Sequence, residues 1–292
     1  LLRDVRMAYL ELGYQEAALA QIAATRKAFD DILAITESLY RTGRNNLQDV
    51  LSAQLERALL DDRTAAVETE RAAALAELQR WTGPIAQTLE LSETLPDLAA
   101  PPERAQLAAQ IETHPSIRAA SQRVAAGQSA VEVARQQYKP GWMLDVSYGE
   151  RTGYEMNGMR RSDLLSATVT LDVPLFPGKR QDRRVAASVA ETDALRFMRD
   201  DAYRDLQRTL ETEYPRWEQL REREQVYAKQ ILPAARHNAE AALTAYRNGV
   251  TDFTALMRAH IMDLDSRLQG LRTQTDRLQT QARLLYLAGD HS

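Results

Sequence analysis

The chain has 292 residues, enough for one or two ordinary domains, and only 6% of them are aromatic. Ala, Leu, Arg, Gln and Glu dominate instead, the bias of long helices with small-residue contacts. A net charge of −4 with both signs mixed excludes a nucleic-acid-binding surface, and the lack of cysteine excludes disulfides and thiolate metal sites. No run of about 20 apolar residues is present, so no membrane-spanning helix is expected. The sequence begins at Leu1-Leu2-Arg3, inside a helical pattern and without an initiator Met, and reads as a mature or truncated piece of something longer.

Up to about residue 40 the chain lacks proline and spaces Ala18, Ile22, Ala28, Ile32, Ile35 and Leu39 as a helix does, a rod of roughly 60 Å. Tyr40-Arg41-Thr42-Gly43 ends it, and a second helix runs to Trp81, where Gly83-Pro84 stops it. Residues 1–83 are thus a helical hairpin. Residues 84–113 form a connector with Pro84, Pro96, Pro101 and Pro102, and residues 114–139 resume the helical pattern until Pro140-Gly141.

Residues 140–176 differ in kind. Trp142, Leu144, Val146 and Tyr148 alternate with Met143, Asp145 and Ser147. Leu165, Ala167, Val169, Leu171 and Val173 alternate with Ser166, Thr168, Thr170 and Asp172. Strict period-two alternation predicts two strands, 142–148 and 165–173, joined by a solvated loop and ended by Pro174 and Pro177-Gly178. Two strands between long helices are not stable alone, so strands from other copies must close their edges. Apolar-out, polar-in alternation with Trp142 and Tyr148 at the ends fits a transmembrane β-barrel strand; a soluble sheet packed on a helix would alternate in the same way.

Residues 177–292 form a second long hairpin and the C-terminus. Pro215 and Pro233 are expected to kink or break its first helix. Its second carries Met257, Ile261, Leu264, Leu268, Leu271, Leu278, Ala282 and Leu285, a coiled-coil seam with Thr275 as a polar substitution.

The two hairpins repeat. The offset that superposes Gly43 on Gly249 also superposes Tyr40 on Tyr246, Ala53 on Ala259, Arg71 on Arg277, Leu78 on Leu284 and Gly83 on Gly289, without a gap. Such hairpins build tubes, bundles and stalks rather than catalytic pockets.

Several residues carry a resemblance. Tyr40-Arg-Thr-Gly43 followed by Leu47-Gln-Asp49-Val50-Leu51-Ser-Ala53-Gln54 resembles the periplasmic tip of the TolC-type outer-membrane efflux factors. So does Tyr246-Arg-Asn-Gly249 with Ala259, and Tyr138-Lys-Pro140 and Asp172-Val-Pro174-Leu-Phe176 resemble that family's entry to and exit from its barrel. The resemblance covers nearly the whole chain and leans toward the heavy-metal branch. It implies a mainly α fold: long antiparallel hairpins form an α-barrel wall, and a β-hairpin contributes to a trimeric transmembrane β-barrel. It further implies that a helix and two strands precede Leu1. The implied function is an outer-membrane exit duct of a Gram-negative tripartite efflux pump, passive and without a cofactor. The implied partners are two further copies in a homotrimer, outer-membrane lipid, a periplasmic adaptor and, indirectly, an inner-membrane transporter. Nucleic acid is not among them.

By the same resemblance, Tyr40, Arg41, Gly43, Leu47, Asp49, Val50, Leu51, Tyr246, Arg247, Gly249 and Phe253 are the adaptor-contacting tips. Asp49 and Tyr246 match gate positions, and Arg258 is a further gate candidate where relatives often carry Asp. Trp142, Leu144, Val146, Tyr148, Leu165, Ala167, Val169, Leu171 and Val173 face lipid. The apolar residues after each turn, with Leu256 and Met257 in the second, either meet a partner or close their own hairpin.

No catalytic chemistry stands out. His114, His237, His260 and His291 show no metal-ligand spacing, and Met156 and Met159 are two soft thioethers in a loop. The competing reading is a periplasmic adaptor or other coiled-coil protein; adaptors usually flank a single hairpin with soluble β-domains.

Overall fold

The computed structural model describes residues 1–88, 95–173, 175, 176, 178 and 180–289. Pro174, Pro177 and His291 lie outside them. In chain order the elements are α1 (Leu2–Arg41), α2 (Leu47–Thr82), a 3-10 turn (Gly83–Thr88), α3 (Arg104–Thr113) and α4 (Pro115–Gln136). Strands β1 (Gly141–Gly149) and β2 (Leu164–Asp172) follow, then α5 (Gln181–Val226), a π turn (Tyr227–Ile231), α6 (Leu232–Arg247) and α7 (Phe253–Leu287). They divide into two compact units, one of Leu1–Ile111 with Leu206–Ser292, the other of Glu112–Asp205.

In the first unit α1 and α2 pair as one hairpin, α6 and α7 as the other, and α1 packs along α7. The seam expected on α7 is the core. Leu264, Leu278, Ala282 and Leu285 are buried, and Thr275 is fully buried with its hydroxyl donating to the Leu271 carbonyl at 3.0 Å. Ile22, Phe29 and Ile32 of α1 and Ala53 and Leu60 of α2 meet Leu256, Met257 and Leu264 in one cluster. Salt bridges staple the helices: Asp30–Arg57, Asp61–Arg26 and Glu16–Arg71 between α1 and α2, and Arg272 Nη1 of α7 donating to both carboxylate oxygens of Glu11 of α1 at 2.8 and 2.9 Å. The exposed pairs add little stability; they set partner and register.

The described part of the connector carries more structure than its prolines suggest. Leu107 and Ile111, one turn apart on α3, are fully buried. Gln281 of α7 donates to the carbonyls of Leu98 and Ala99 at 2.8 and 2.7 Å. Leu95 lies so close to Gly13 that a Cβ there would meet its Cδ2 at 2.8 Å.

The prolines behave unequally. Pro215 does not break α5, which runs unbroken for 46 residues, because buried Leu206, Leu210 and Leu220 hold the helix on both sides of the one missing N–H bond. Pro233 stands just after the π turn, where the Leu232 N–H reaches back to the Tyr227 carbonyl. The widened turn relieves the clash of the proline ring with the carbonyl four residues earlier. Gly270 of α7 faces that turn, with Tyr227 Cδ1 at 3.4 Å and Leu232 Cδ1 at 3.6 Å from where a Cβ would stand.

In the second unit α4 packs on α5 through Gly127, against Thr192 and Leu195. The strands pair antiparallel in one register, Trp142 opposite Leu171, Leu144 opposite Val169, Val146 opposite Ala167 and Tyr148 opposite Leu165. Val173 falls one residue beyond β2. Below the sheet the helical stems are tied: Tyr138 donates to Asp182, and Arg184 to Gln137 at 2.8 Å.

Gly270→Ala is expected to be neutral or to stabilise by up to about 1 kcal/mol, since its methyl makes ordinary contact and alanine is the better helix former. Gly270→Leu should cost about 1–3 kcal/mol by displacing Tyr227 and Leu232. Thermal melting of the helical signal measures both; equal effects would mean that the π turn does not rest on α7.

Candidate functional site: paired helical tips and an exposed strand pair

Both turns of the first unit close in the same way. Gly43 has φ +68°, its N–H bonds to the Tyr40 carbonyl and the Arg44 N–H to Leu39; Gly249 has φ +71°, with N–H bonds from Gly249 to Tyr246 and from Val250 to Ala245. These are Schellman closures, which require a left-handed residue and therefore favour glycine. The following helices are capped at equivalent positions, Asn46 Oδ1 accepting from the Asp49 N–H and Asp252 Oδ1 from the Ala255 N–H. The Asp49 carboxylate stands in the first turn of α2, near the Asn46 backbone N–H. This Asn cap followed by an acid was legible in the sequence.

The tips stand side by side. Tyr246 is buried, and its hydroxyl lies 3.1 Å from Thr36 Oγ1 while accepting from Asn45 Nδ2. Thr36 itself donates to the Ile32 carbonyl at 2.8 Å, so the Tyr246 proton goes to Thr36 and a relay of donors runs from hairpin to hairpin. Phe253 closes on the Tyr246 ring edge to face at 6.0 Å between centroids. Burial, with a smaller contribution from the Asp252 carboxylate, holds the Asp49 carboxyl above the usual range, against the opposing Asn46 bond.

Of the residues expected at a partner surface, Val50, Tyr246 and Phe253 are interior and build the tip, as do Leu256 and Met257. Tyr40, Arg41, Gly43, Leu47 and Leu51 are exposed on the first tip, and Arg247 and Gly249 on the second; Asp49 is half-buried. Among the gate candidates Arg258 is exposed, near Met262 on α7. The set-aside histidines have structural work: His114 caps α4 through Ser116, and His237 lies 3.6 Å from Glu240.

In the second unit the strands expose both faces. Trp142, Leu144, Val146 and Tyr148 and, opposite them, Leu165, Val169 and Leu171 are all more than half exposed. The other face carries Asp145 opposite Thr168 and a Ser147–Ser166 hydroxyl pair at 2.7 Å. The pleat thus sorts one apolar and one polar surface, with neither covered by a helix.

His260 sits where α7 meets α1, edge-on to Phe29 at 6.1 Å, its Nε2 buried without a hydrogen bond. Burial lowers its affinity for a proton, only partly opposed by Asp263. A group with a depressed folded pKa stabilises above its unfolded value of 6.5 and loses that contribution as pH falls below it. Between about pH 7.5 and 5.5 the melting temperature should fall more for the natural chain than for His260→Gln. Parallel curves would remove His260 from the acid response.

The sequence profile of the family described as "Outer membrane efflux protein" matches residues 107–290. The protein CyaE of Bordetella pertussis is 32% identical over 213 residues, 65% of this chain and 42% of its own length. Among solved structures, a membrane protein from Pseudomonas aeruginosa has a TM-score of 0.85 at 21% identity, covering 98% of this chain and 67% of the other. The outer-membrane channel OprN gives 0.80 at 20%, over 98% and 65%, and the outer membrane protein VceC of Vibrio cholerae 0.82 at 17%, over 98% and 69%. The chain spans less than half of the CyaE length and about two thirds of each solved chain. None of these selects the heavy-metal branch. A profile match over most of its length, on paired hairpins and a two-faced strand pair, makes this chain a member of the outer membrane efflux protein family.

Proposed function

We propose that this chain forms part of the wall of an outer-membrane exit duct, through which small molecules or ions leave passively. The observation that carries the reading is the strand pair, with a continuous apolar face open on one side and a hydroxyl and carboxylate face on the other. A water-filled barrel in lipid needs that division, and open strand edges need other copies to close them. Family membership supports the duct over the adaptor reading. Three copies, a periplasmic adaptor at the tips and an inner-membrane transporter beyond it complete the proposed assembly. The duct carries out no bond chemistry and holds no cofactor.

The lipid assignment is tested by Val169→Arg against Thr168→Arg. A charge on the lipid face costs about 2–4 kcal/mol near the bilayer midplane, and a charge on the lumen face does not. Val169→Arg should deplete the protein from outer-membrane fractions while Thr168→Arg leaves it in place; equal effects would make the sheet soluble, and depletion by Thr168→Arg alone would reverse its faces.

The adaptor assignment rests on Arg41 and Arg247, both exposed at equivalent places on the tips. Arg41→Glu together with Arg247→Glu should reduce crosslinking to a purified adaptor and reduce export, with outer-membrane abundance unchanged. Wild-type crosslinking in that variant would move the docking surface away from the turns.

A further inference from the structure

The segment that joins the two strands is itself folded. Tyr154 bridges to Arg160, the Glu155 N–H donates to the Met159 carbonyl at 2.8 Å, and the Arg161 N–H donates to the Gly153 carbonyl at 3.1 Å. These make a short antiparallel hairpin at the end of the strand pair away from the helical stems. Its turn runs from Glu155 to Gly158, with the Gly158 N–H on the Glu155 carbonyl at 2.9 Å and Gly158 at φ +81°. Met156 and Asn157 stand fully in solvent.

Asn157-Gly158 is one of two Asn-Gly pairs in the chain, Asn248-Gly249 at the second tip being the other. Such a pair carries its own reaction. Glycine has no Cβ to shield its nitrogen, which can attack the carbonyl carbon of the preceding asparagine side chain. A new C–N bond forms, and the side-chain amide leaves as ammonia with the proton that the glycine nitrogen gives up. Water then opens the resulting succinimide ring at either carbonyl, giving aspartate or isoaspartate.

The two pairs share most of their surroundings. Each asparagine is exposed, each glycine is left-handed, and each glycine N–H is held by the carbonyl three residues earlier, at 2.9 Å in the loop and 3.0 Å at the tip. They differ in the next N–H along. The Met159 N–H donates to Asn157 Oδ1 at 3.1 Å. The Val250 N–H donates instead to the Ala245 carbonyl at 2.9 Å, as the second bond of the helix closure. Asn157 Oδ1 is the oxygen on which negative charge gathers during the attack, and a backbone N–H at that distance stabilises such charge. At the tip that donor is already taken, and bringing Gly249 onto Asn248 would open the end of α6.

We propose that Asn157 is a site of spontaneous conversion to aspartate and isoaspartate, and that the helix closure protects Asn248 from the same reaction. The converted turn gains a carboxylate beside Glu155. In the isoaspartyl form it also gains one backbone atom, which breaks the turn that pairs Tyr154 with Arg160. The change stays above the strands, whose pairing ends at Gly149 and Leu164.

Full-length protein, freshly purified, is incubated for several days in mildly alkaline buffer and digested with trypsin, an unincubated sample subtracting what digestion itself produces. Cleavage releases Asn157 in the peptide Thr152–Arg160 and Asn248 in the peptide Asn248–Arg258. Mass spectrometry and isoaspartyl methylation read both. The acid forms of Asn157 should accumulate about tenfold faster than those of Asn248 in the folded chain, and the two rates should converge in urea. Equal rates in the folded chain, or faster conversion of Asn248, overturn the inference. A gap that persists unchanged in urea does so too, because it then comes from local sequence and not from the fold. Met159→Pro removes the donating N–H and keeps the Asn-Gly pair. Relative to its own rate in urea, that variant should convert severalfold more slowly than the natural chain; an equal relative rate overturns the part assigned to the Met159 N–H.

Discussion

Tyr246 is buried in the apolar cluster that holds Ile32, Phe253 and Leu256, side chains that offer its hydroxyl no hydrogen bond. Left alone there, the group would cost about 1–3 kcal/mol. Thr36 accepts its proton and Asn45 donates to its oxygen, and both belong to the other hairpin. The two hairpins can therefore slide past each other by one residue only by orphaning that oxygen. Apolar packing along α1 and α7 would tolerate several registers; the relay tolerates one. The closures at Gly43 and Gly249 are local to each turn, but the nearness of Asp49 to Asp252 depends on this alignment.

Farther from the tips the interface is held by different means. Arg272 reaches Glu11, Gln279 joins the same carboxylate at 3.0 Å, and the Arg272 guanidinium lies over the Tyr14 ring at 5.0 Å. These groups are partly solvated, so they orient more than they bind. Polar contacts are buried toward both ends of the unit, Tyr246 on Thr36 near the tips and Gln281 on Leu98 and Ala99 beside the connector. Between them the stems are held by charge and by the apolar seam of α7.

Much of this was legible in the residues. The repeat, the two turns and the strand phase follow from periodicity, because glycine closures and alternation are local signals. What escaped was tertiary. Leu107 and Ile111 form a buried helix inside a proline-rich stretch, since two apolar residues one turn apart are too few to show a period. Pro215 is carried by the leucines around it, a support that no local rule sees. Val50, Tyr246 and Phe253 had the same apparent standing as Leu47 and Leu51; burial alone separates those that build the tip from those that face outward. A periodicity tells which residues share a face, and only packing tells which face finds a neighbour.

The pleated strands have a consequence for the route such a chain travels. Since Asp145, Ser147, Thr168 and Thr170 interrupt the apolar residues at every second place, the unfolded segment never presents an unbroken apolar run of the kind that lodges in a bilayer as a helix. Its oiliness is latent in the linear chain and appears only on pleating, when alternate side chains part to opposite faces. A polypeptide built this way can pass one bilayer as a polar thread and settle in another as a wall, and the switch between the two is secondary structure itself.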